Sequence, residues 1–352
     1  MADSRLVATV GQWWQGARPR TLPAAIAPVL VGTAAAYYYL GLPLGFNGPL
    51  AYEPFGRGLT RYHGAGPFGI YAGGDQTSTF VLHEEHATIS WTQLVLRALL
   101  ALVVALALQV GVNYANDYSD GIRGTDDARV GPVRLVGQGL APAQQVKRAA
   151  FASFGVAALA GLALVLVTQA WWLILVGLAA IVAAWFYTGG PRPYGYAGLG
   201  ELFVFVFFGL VAVVGSTYVQ TLAITWLAVA GGVACGALSV AILLANNLRD
   251  IPTDTVAGKH TLAVRMGDRG TRMAYLLAIA APFLMAVAIA IPDVPWALLG
   301  LLAIPLAVRP VRVVRSGAVG RDLVPVLAGT GKLLLGYAVA LSLGLVVQTL
   351  TR

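Results

Sequence analysis

Charged residues and cysteine are both scarce in this 352-residue chain. Charged side chains make up 11% of the residues, against about 25% in soluble globular domains. The single cysteine, Cys235, excludes a disulfide framework and a cysteine-based metal site. Only 15 residues are acidic. With so few acidic side chains available, their positions are the main guide to any chemistry that the chain performs.

Hydrophobic residues make up 58% of the chain, and its mean hydropathy is +0.75. They recur in blocks of roughly 18 to 22, long enough at 1.5 Å per residue to cross a ~30 Å hydrocarbon layer. The sequence therefore predicts an all-α polytopic membrane protein with nine transmembrane helices. The predicted spans are 22–40, 92–112, 147–168, 171–187, 202–220, 225–245, 273–291, 296–308 and 332–350.

We expect a single membrane domain over residues 1–352, with an extracytoplasmic loop insert at about 41–90. The insert is rich in Gly, Tyr and Phe and contains the run His83-Glu84-Glu85-His86. Its two histidines are three residues apart, whereas a zinc-protease helix places them four apart. We therefore interpret this segment as a solvated loop.

Basic residues fix the predicted orientation. With nine alternating spans, 19 of the 23 Lys and Arg residues fall on the side of the N-terminus, and only Arg57, Arg61, Arg97 and Arg352 fall on the other. Cytoplasmic loops carry the excess of positive charge. The N-terminus is therefore predicted to be cytoplasmic and the C-terminus outside, and the net charge of +8 needs no nucleic acid to explain it.

The acidic residues cluster in two segments at the cytoplasmic ends of apolar blocks. In the first, the spacing i, i+3, i+4, i+7 puts four polar residues on one face of a helix. Gly121 and Gly124 then allow a turn that brings Asp126 or Asp127 back toward that face. In the second segment the spacing is i, i+4, i+8, although Pro252 is a point at which the helix could end. The two stripes are Asn113, Asn116, Asp117 and Asp120, and Asn246, Asp250 and Asp254.

Carboxylates near a bilayer should face a cavity and neutralise a cation. All the ligands offered are oxygens, which favours Mg²⁺ or Mn²⁺ over zinc or copper. Two facing clusters would hold Mg²⁺ bridging a diphosphate, and Arg123, Arg249 and Lys259 lie beside them to meet the remaining negative charge. The predicted metal ligands are Asp117, Asp120, Asp126, Asp250 and Asp254.

These motifs resemble the UbiA superfamily of intramembrane aromatic prenyltransferases. The paired Asp-rich motifs of that family are matched by Asn116-Asp117-x-x-Asp120 and Asp250-x-x-x-Asp254. Three further stretches resemble its naphthoate-prenylating branch in menaquinone biosynthesis: 17–24, 187–201 and 258–263, and the first Asp-rich motif extends to Pro132 in the same way. The resemblance covers nearly the whole chain apart from the insert.

The resemblance implies a UbiA-type nine-helix bundle in the cell membrane, with its active site on the cytoplasmic side. It implies Mg²⁺-dependent transfer of a polyprenyl group from polyprenyl diphosphate to 1,4-dihydroxy-2-naphthoate with decarboxylation, giving demethylmenaquinol. Asp117, Asp120, Asp250 and Asp254 would be catalytic. The expected substrate-binding residues are Asn113, Asn116, Arg123, Asn246, Arg249, Lys259, Arg18, Arg20, Tyr187 and Arg192.

A dry apolar cavity should shield the allylic cation from water. Aromatic residues such as Tyr114, Tyr118, Phe186 and Tyr187 are expected to line it, although ordinary helix packing also explains each of them. Arg18 and Arg20 are explained equally well by interfacial anchoring.

Two alternatives remain at this point. One is a prenyltransferase acting on another aromatic acceptor. The other, from a different class, is a divalent-cation transporter, for which carboxylates near the bilayer midplane would be expected.

Overall fold

The computed structural model describes residues 8–41, 89–124 and 133–351. The predicted insert therefore lies outside the described residues, except for its two ends, as do Asp126 and Asp127. The described residues form helices joined by short turns, without a β-strand among them. The prediction of an all-α protein is confirmed.

Among the described residues, ten helices follow one another along the chain, besides the short 3-10 helices Pro19–Thr21 and Tyr194–Ala197. The first is a short segment that precedes the apolar helices. The helices are α1 Val10–Gly16, α2 Pro23–Leu40, α3 Trp91–Ile122, α4 Ala143–Thr168, α5 Leu173–Phe186, α6 Gly200–Thr221, α7 Trp226–Val256, α8 Leu262–Asp293, α9 Pro295–Arg315 and α10 Gly320–Leu350.

Nine apolar helices coincide with the nine predicted spans. Eight of them, α2–α4 and α6–α10, are long and apolar enough to cross a membrane among the residues described. The ninth, α5, has only 14 residues and is about 21 Å long at 1.5 Å per residue. The four residues 169–172 join it to α4, and Gln169 takes the left-handed conformation there, with φ of 56°. The predicted spans 147–168 and 171–187 leave room only for a tight turn between them, and such a turn is present.

Hydroxyl side chains mark where several helices begin. The hydroxyls of Ser90, Thr225 and Thr261 each accept the backbone N–H three residues ahead, at distances of 3.1 to 3.3 Å. Such caps satisfy backbone donors that a helix start leaves unpaired. At the other end of α2, Gly41 takes the left-handed conformation that ends many helices.

Helices α3 and α7 both run past the predicted membrane spans without a break. The spans end at residues 112 and 245 in the sequence prediction, whereas the helices continue to Ile122 and Val256. Pro252 does not end α7, because it lies inside the helix. The two polar stripes are therefore the last turns of two long membrane helices, and each keeps helical register with the apolar part below it.

Helix α7 lies in the core of the bundle, and α6 crosses it at a point where only glycine fits. The π-helical stretch Phe205–Val211 of α6 contains this crossing. A Cβ atom added to Gly209 would lie 2.5 Å from the carbonyl oxygen of Gly232 and 2.5 Å from the Cα of Gly236. Because these neighbours are backbone atoms, they cannot rotate away.

We expect Gly209→Ala to lower the free energy of unfolding by about 1–3 kcal/mol, the usual cost of overpacking a core. Thermal unfolding in detergent can be followed with a thiol-reactive dye, since the only cysteine, Cys235, is fully buried. Gly155→Ala is the matched control, because a Cβ there meets nothing within 4 Å. Equal unfolding temperatures for the two variants would contradict this packing.

Candidate functional site

A polar cavity of about 210 Å³ lies between the ends of α3 and α7. One residue pair from each polar stripe lines it: Asn116 and Asp120 from α3, and Asn246 and Asp254 from α7. Within each helix the two residues are four or eight apart, which places them on one face. The structure thus brings the two predicted stripes together around one cavity.

Asp120 is one of the two carboxylates that line this cavity. Its side chain is 5% exposed, and its Oδ1 atom lies 3.4 Å from the ammonium of Lys259. The hydroxyl of Tyr196 donates a hydrogen bond to the same oxygen. The Lys259 ammonium also lies 4.4 Å from the centre of the Tyr196 ring, a cation–π distance. A cation therefore already neutralises the carboxylate of Asp120.

Arg249 organises the second stripe. Its guanidinium donates two hydrogen bonds of 2.7 Å to the two oxygens of Asp250, and a third of 2.9 Å to the amide oxygen of Asn246. Asp250 is buried but does not line the cavity. On the next turn, the carbonyl of Asp254 accepts the backbone N–H of Lys259 at 2.8 Å. This bond ties the end of α7 to the residue that contacts Asp120.

The structure places Asp117 differently from the sequence-based expectation. Its carboxylate is fully buried, lies outside the cavity lining, and accepts the backbone N–H groups of Leu135 and Val136 at 2.8 and 3.1 Å. Both oxygens are thus used to hold the segment that follows the turn after α3. Because Asn116 and Asp117 are neighbours on a helix, they point about 100° apart, and only one of them faces the cavity.

Asn113 and Asn116 also fix the walls of the site. The amide of Asn113 donates to the carbonyl of Ala17 at 2.9 Å and to the hydroxyl of Thr21 at 3.0 Å. The amide oxygen of Asn116 accepts the Thr188 hydroxyl at 2.8 Å. The N-terminal segment and the segment after α5 are therefore both attached to α3 beside the polar stripe.

The predicted basic residues take three different positions. Arg18 and Lys259 line the polar cavity. Arg20 and Arg192 are exposed and do not line it, and their anion contacts stay predictions. Arg123 donates to the carbonyls of Thr188 and Gly190. It holds a loop, which was not the role predicted for it.

Several cavity residues were missed from the sequence. Tyr196 and Thr188 fall in a stretch that carried the family resemblance, yet neither was assigned a role. Arg134, Gln109 and Ser239 lie outside every motif and had no sequence signal. All five line the polar cavity. Another missed contact is the hydrogen bond of 2.9 Å from the Asn247 amide to the buried carboxylate of Glu201.

A larger apolar cavity, of about 460 Å³, joins the polar one. The two share lining residues, among them Gln109, Asn116 and Tyr187. Small residues of α3–α6 line much of the apolar cavity, including Ala101, Gly161, Gly177 and Gly215. The cavity is therefore open because these small residues leave space that larger side chains would fill.

One of the four aromatic residues expected in the apolar cavity is found there, namely Tyr187. Tyr114 donates to the carbonyl of Trp13, Tyr118 stacks on Trp185, and Phe186 is 44% exposed. These three serve packing, which was the alternative reading of each.

A residue that was not predicted, Tyr194, lines the apolar cavity too. It lies between α5 and α6 and donates to the carbonyl of Ala183 at 2.8 Å. Burial raises the pKa of Tyr194 well above its usual value. Its hydroxyl therefore stays a neutral donor.

The cavity offers oxygen ligands, but few of them are carboxylates. Among the described residues no group of three or more Asp, Glu, His or Cys side chains could hold a metal ion. The carboxylates of Asp120 and Asp254 face the cavity together with the amides of Asn116 and Asn246. This set suits Mg²⁺, which is commonly bound by one or two carboxylates together with water and substrate phosphates.

The chain matches one family over most of its length. A model described as the UbiA prenyltransferase family matches residues 77–322. The chain is 49% identical to 1,4-dihydroxy-2-naphthoate octaprenyltransferase from Mycobacterium tuberculosis, with 96% of this chain and 97% of that protein covered. It is 35% identical to the Escherichia coli protein of the same name, with 86% and 84% covered.

Solved structures show the same fold. A UbiA homolog from Archaeoglobus fulgidus, bound to DMAPP and Mg²⁺, has a TM-score of 0.55 and 13% identity, with 94% of this chain and 98% of that chain covered. A UbiA homolog from Aeropyrum pernix has a TM-score of 0.58 at 14% identity, with 92% and 97% covered. The predicted resemblance is confirmed: the chain is a multi-pass membrane protein that belongs to the UbiA prenyltransferase family.

Proposed function

We propose that this protein transfers a polyprenyl group from polyprenyl diphosphate to 1,4-dihydroxy-2-naphthoate, with loss of CO₂, to give demethylmenaquinol. The main observation behind the proposal is that a charged cavity adjoins a larger apolar cavity. A polyprenyl diphosphate has the same two-part character. Relatives named for this reaction, at up to 49% identity over nearly the full chain, support the choice of acceptor.

The diphosphate binds in the polar cavity. Its charge is met by Lys259 and Arg18, which line that cavity, and a phosphate competes with Asp120 for the Lys259 ammonium. Asp120 and Asp254, with help from Asn116 and Asn246, would hold Mg²⁺, which would supply Lewis-acid stabilisation of the leaving diphosphate. Asp126 would complete this set from a segment outside the described residues.

The remaining predicted residues act through their neighbours. Arg249 holds Asn246 and neutralises Asp250, so it positions the α7 stripe and leaves Asp250 an indirect role. Asp117 holds the backbone of Leu135 and Val136 and so positions the adjacent Arg134 at the cavity. A misplaced group in a site of this kind lowers the rate even when it touches no substrate.

The prenyl tail occupies the apolar cavity, and the reacting carbon lies where the two cavities meet. When the C–O bond breaks, the electron pair leaves with the diphosphate, and the aromatic ring attacks the allylic carbon. Release of the ring carboxylate as CO₂ returns the electrons that restore aromaticity. Tyr187, which lines both cavities, offers its π-face to the allylic cation.

The site opens toward the cytoplasm. Both polar stripes lie at the same end of α3 and α7, and the loops at that end carry most of the Lys and Arg residues. The positive-inside rule then gives a cytoplasmic N-terminus and an external C-terminus. The grouping of the carboxylates at the ends of helices, beside basic residues, also fits an anionic headgroup better than a transported cation.

The first prediction concerns the cavity carboxylates. Asp120→Asn and Asp254→Asn should each reduce prenyl transfer about 100-fold or more, because a group that stabilises transition-state charge is lost. Transfer is measured with labelled polyprenyl diphosphate and 1,4-dihydroxy-2-naphthoate. Asp293→Asn, an exposed position at the end of α8, is the control and should keep full activity. Near-normal activity in both cavity variants would contradict the proposal.

Asp117→Asn should behave differently from Asp120→Asn. The side-chain amide nitrogen of the asparagine would replace one carboxylate oxygen, and it cannot accept a hydrogen bond from a backbone N–H. The free energy of unfolding should therefore fall by about 1–3 kcal/mol. Asp120→Asn also loses the buried ion pair with Lys259, so both thermal unfolding and the Mg²⁺ dependence of transfer are measured. Asp120→Asn should alter the Mg²⁺ dependence, whereas Asp117→Asn should lower stability and leave the Mg²⁺ dependence of the folded protein unchanged. If Asp117→Asn were fully stable and had lost only its Mg²⁺ response, Asp117 would be a direct ligand instead.

Removal of divalent metal should abolish transfer. We expect activity to disappear in EDTA and to return with excess Mg²⁺, because the protein offers too few cations to neutralise a leaving diphosphate alone. Product formation is measured in washed membranes before and after chelation. Full activity in EDTA would exclude a metal-assisted departure.

A further inference from the structure

A buried hydroxyl in the polar cavity has no role so far. Ser239 of α7 is 4% exposed and lines this cavity. Its Oγ atom has no hydrogen-bond partner among the described residues. A buried hydroxyl without a partner costs free energy. A bound ligand that forms a hydrogen bond with Ser239 would remove this cost.

Several other hydroxyls in these helices avoid that cost. They donate to the backbone carbonyl four residues earlier, which is the usual arrangement inside a helix. Ser239 does not, although the same carbonyl geometry is available to any helical serine. The residues that bond their own helix in this way include Ser153, Thr168, Thr217, Thr221, Thr330 and Thr349.

Ser239 lies deeper than the charged part of the cavity. It precedes Asn246 by seven residues, which is two helical turns, or about 10 Å. Gln109 precedes Asn116 by the same interval on α3, lines the same cavity, and donates to Asn113 at 3.3 Å. The cavity thus has charged groups at its mouth and two neutral polar groups, Ser239 and Gln109, at its floor.

The floor adjoins the apolar cavity, which Gln109, Ala24 and Val204 also line, whereas Ser239 lines the polar cavity alone. Ala24, Val204 and Leu327, which share the polar cavity with Ser239, are uncharged. An uncharged polar group on a flat apolar body fits such a place. A phenolic hydroxyl of the acceptor has this chemistry, whereas the acceptor's carboxylate is better served by Arg134, which lines the same cavity.

We propose that Ser239 binds the aromatic acceptor, through a hydrogen bond to the ring hydroxyl that lies farther from the carboxylate. This inference rests on the proposed function and assigns a place to the second substrate. Ser239 then determines specificity, since a site built to bind a hydroxyl discriminates against the analogue that lacks it.

The test compares two ligands in three proteins. The ligands are 1,4-dihydroxy-2-naphthoate, as substrate, and 1-hydroxy-2-naphthoate, as competitive inhibitor. The proteins are wild type, Ser239→Ala and Ser342→Ala. Ser342 is the matched control, because its Oγ also lacks a partner among the described residues but lies outside both cavities.

We expect Ser239→Ala to raise the KM for the dihydroxy acceptor about three- to tenfold, the range of one hydrogen bond. The inhibition constant of the monohydroxy analogue and the KM for polyprenyl diphosphate should stay unchanged. Ser342→Ala should match wild type in all three constants. Alanine is the best helix former, and dye labelling of Cys235 checks that each variant is folded.

Three results would overturn the inference alone, provided that the wild type is active. They are an unchanged KM for the dihydroxy acceptor, equal weakening of both naphthoates, and the same effect from Ser342→Ala. A wild-type protein that transfers no prenyl group to the dihydroxy acceptor would overturn the proposed function, and this inference with it.

Discussion

The structure depends on one constraint: a carboxylate buried in a membrane protein needs a partner that neutralises it or donates to it. Asp117 accepts hydrogen bonds from two backbone N–H groups, and Asp250 accepts two from the guanidinium of Arg249. Glu201 accepts a hydrogen bond from the side-chain amide of Asn247. Each of these contacts joins segments or side chains that hydrophobic packing alone would not align. Because apolar helices have little preference for one register over another, a contact such as that between Glu201 of α6 and Asn247 of α7 helps to set the register at this end of the bundle.

Asp120 shows how the same constraint prepares a site for chemistry. Its partners are Lys259 and Tyr196, and the Lys259 ammonium can exchange the carboxylate for a phosphate without leaving the cavity. A charged group whose partner is replaceable is suited to binding, whereas Asp117, bonded to fixed backbone, is suited to holding a loop. The two carboxylates are three residues apart in sequence, and their surroundings alone separate their roles.

Glycine and alanine create the space that this chemistry requires. Gly209 allows α6 and α7 to touch through their backbones, while small residues along α3–α6 leave the apolar cavity open. The same residue types thus produce both a tight contact and an empty volume, depending on whether a neighbouring helix fills the space. Composition cannot distinguish these outcomes, since only the crossing of the helices decides between them.

The sequence by itself determined the helices, the family and the two polar stripes, because hydropathy and residue spacing are local properties of a chain. The nine apolar segments and the meeting of the two polar stripes at one cavity follow from it. Only the tertiary structure decided which residue of each stripe faces the cavity, that Arg123 holds a loop, and that Ser239 lies at the floor. These facts depend on helix rotation and on contacts between segments far apart in sequence, which no local pattern encodes.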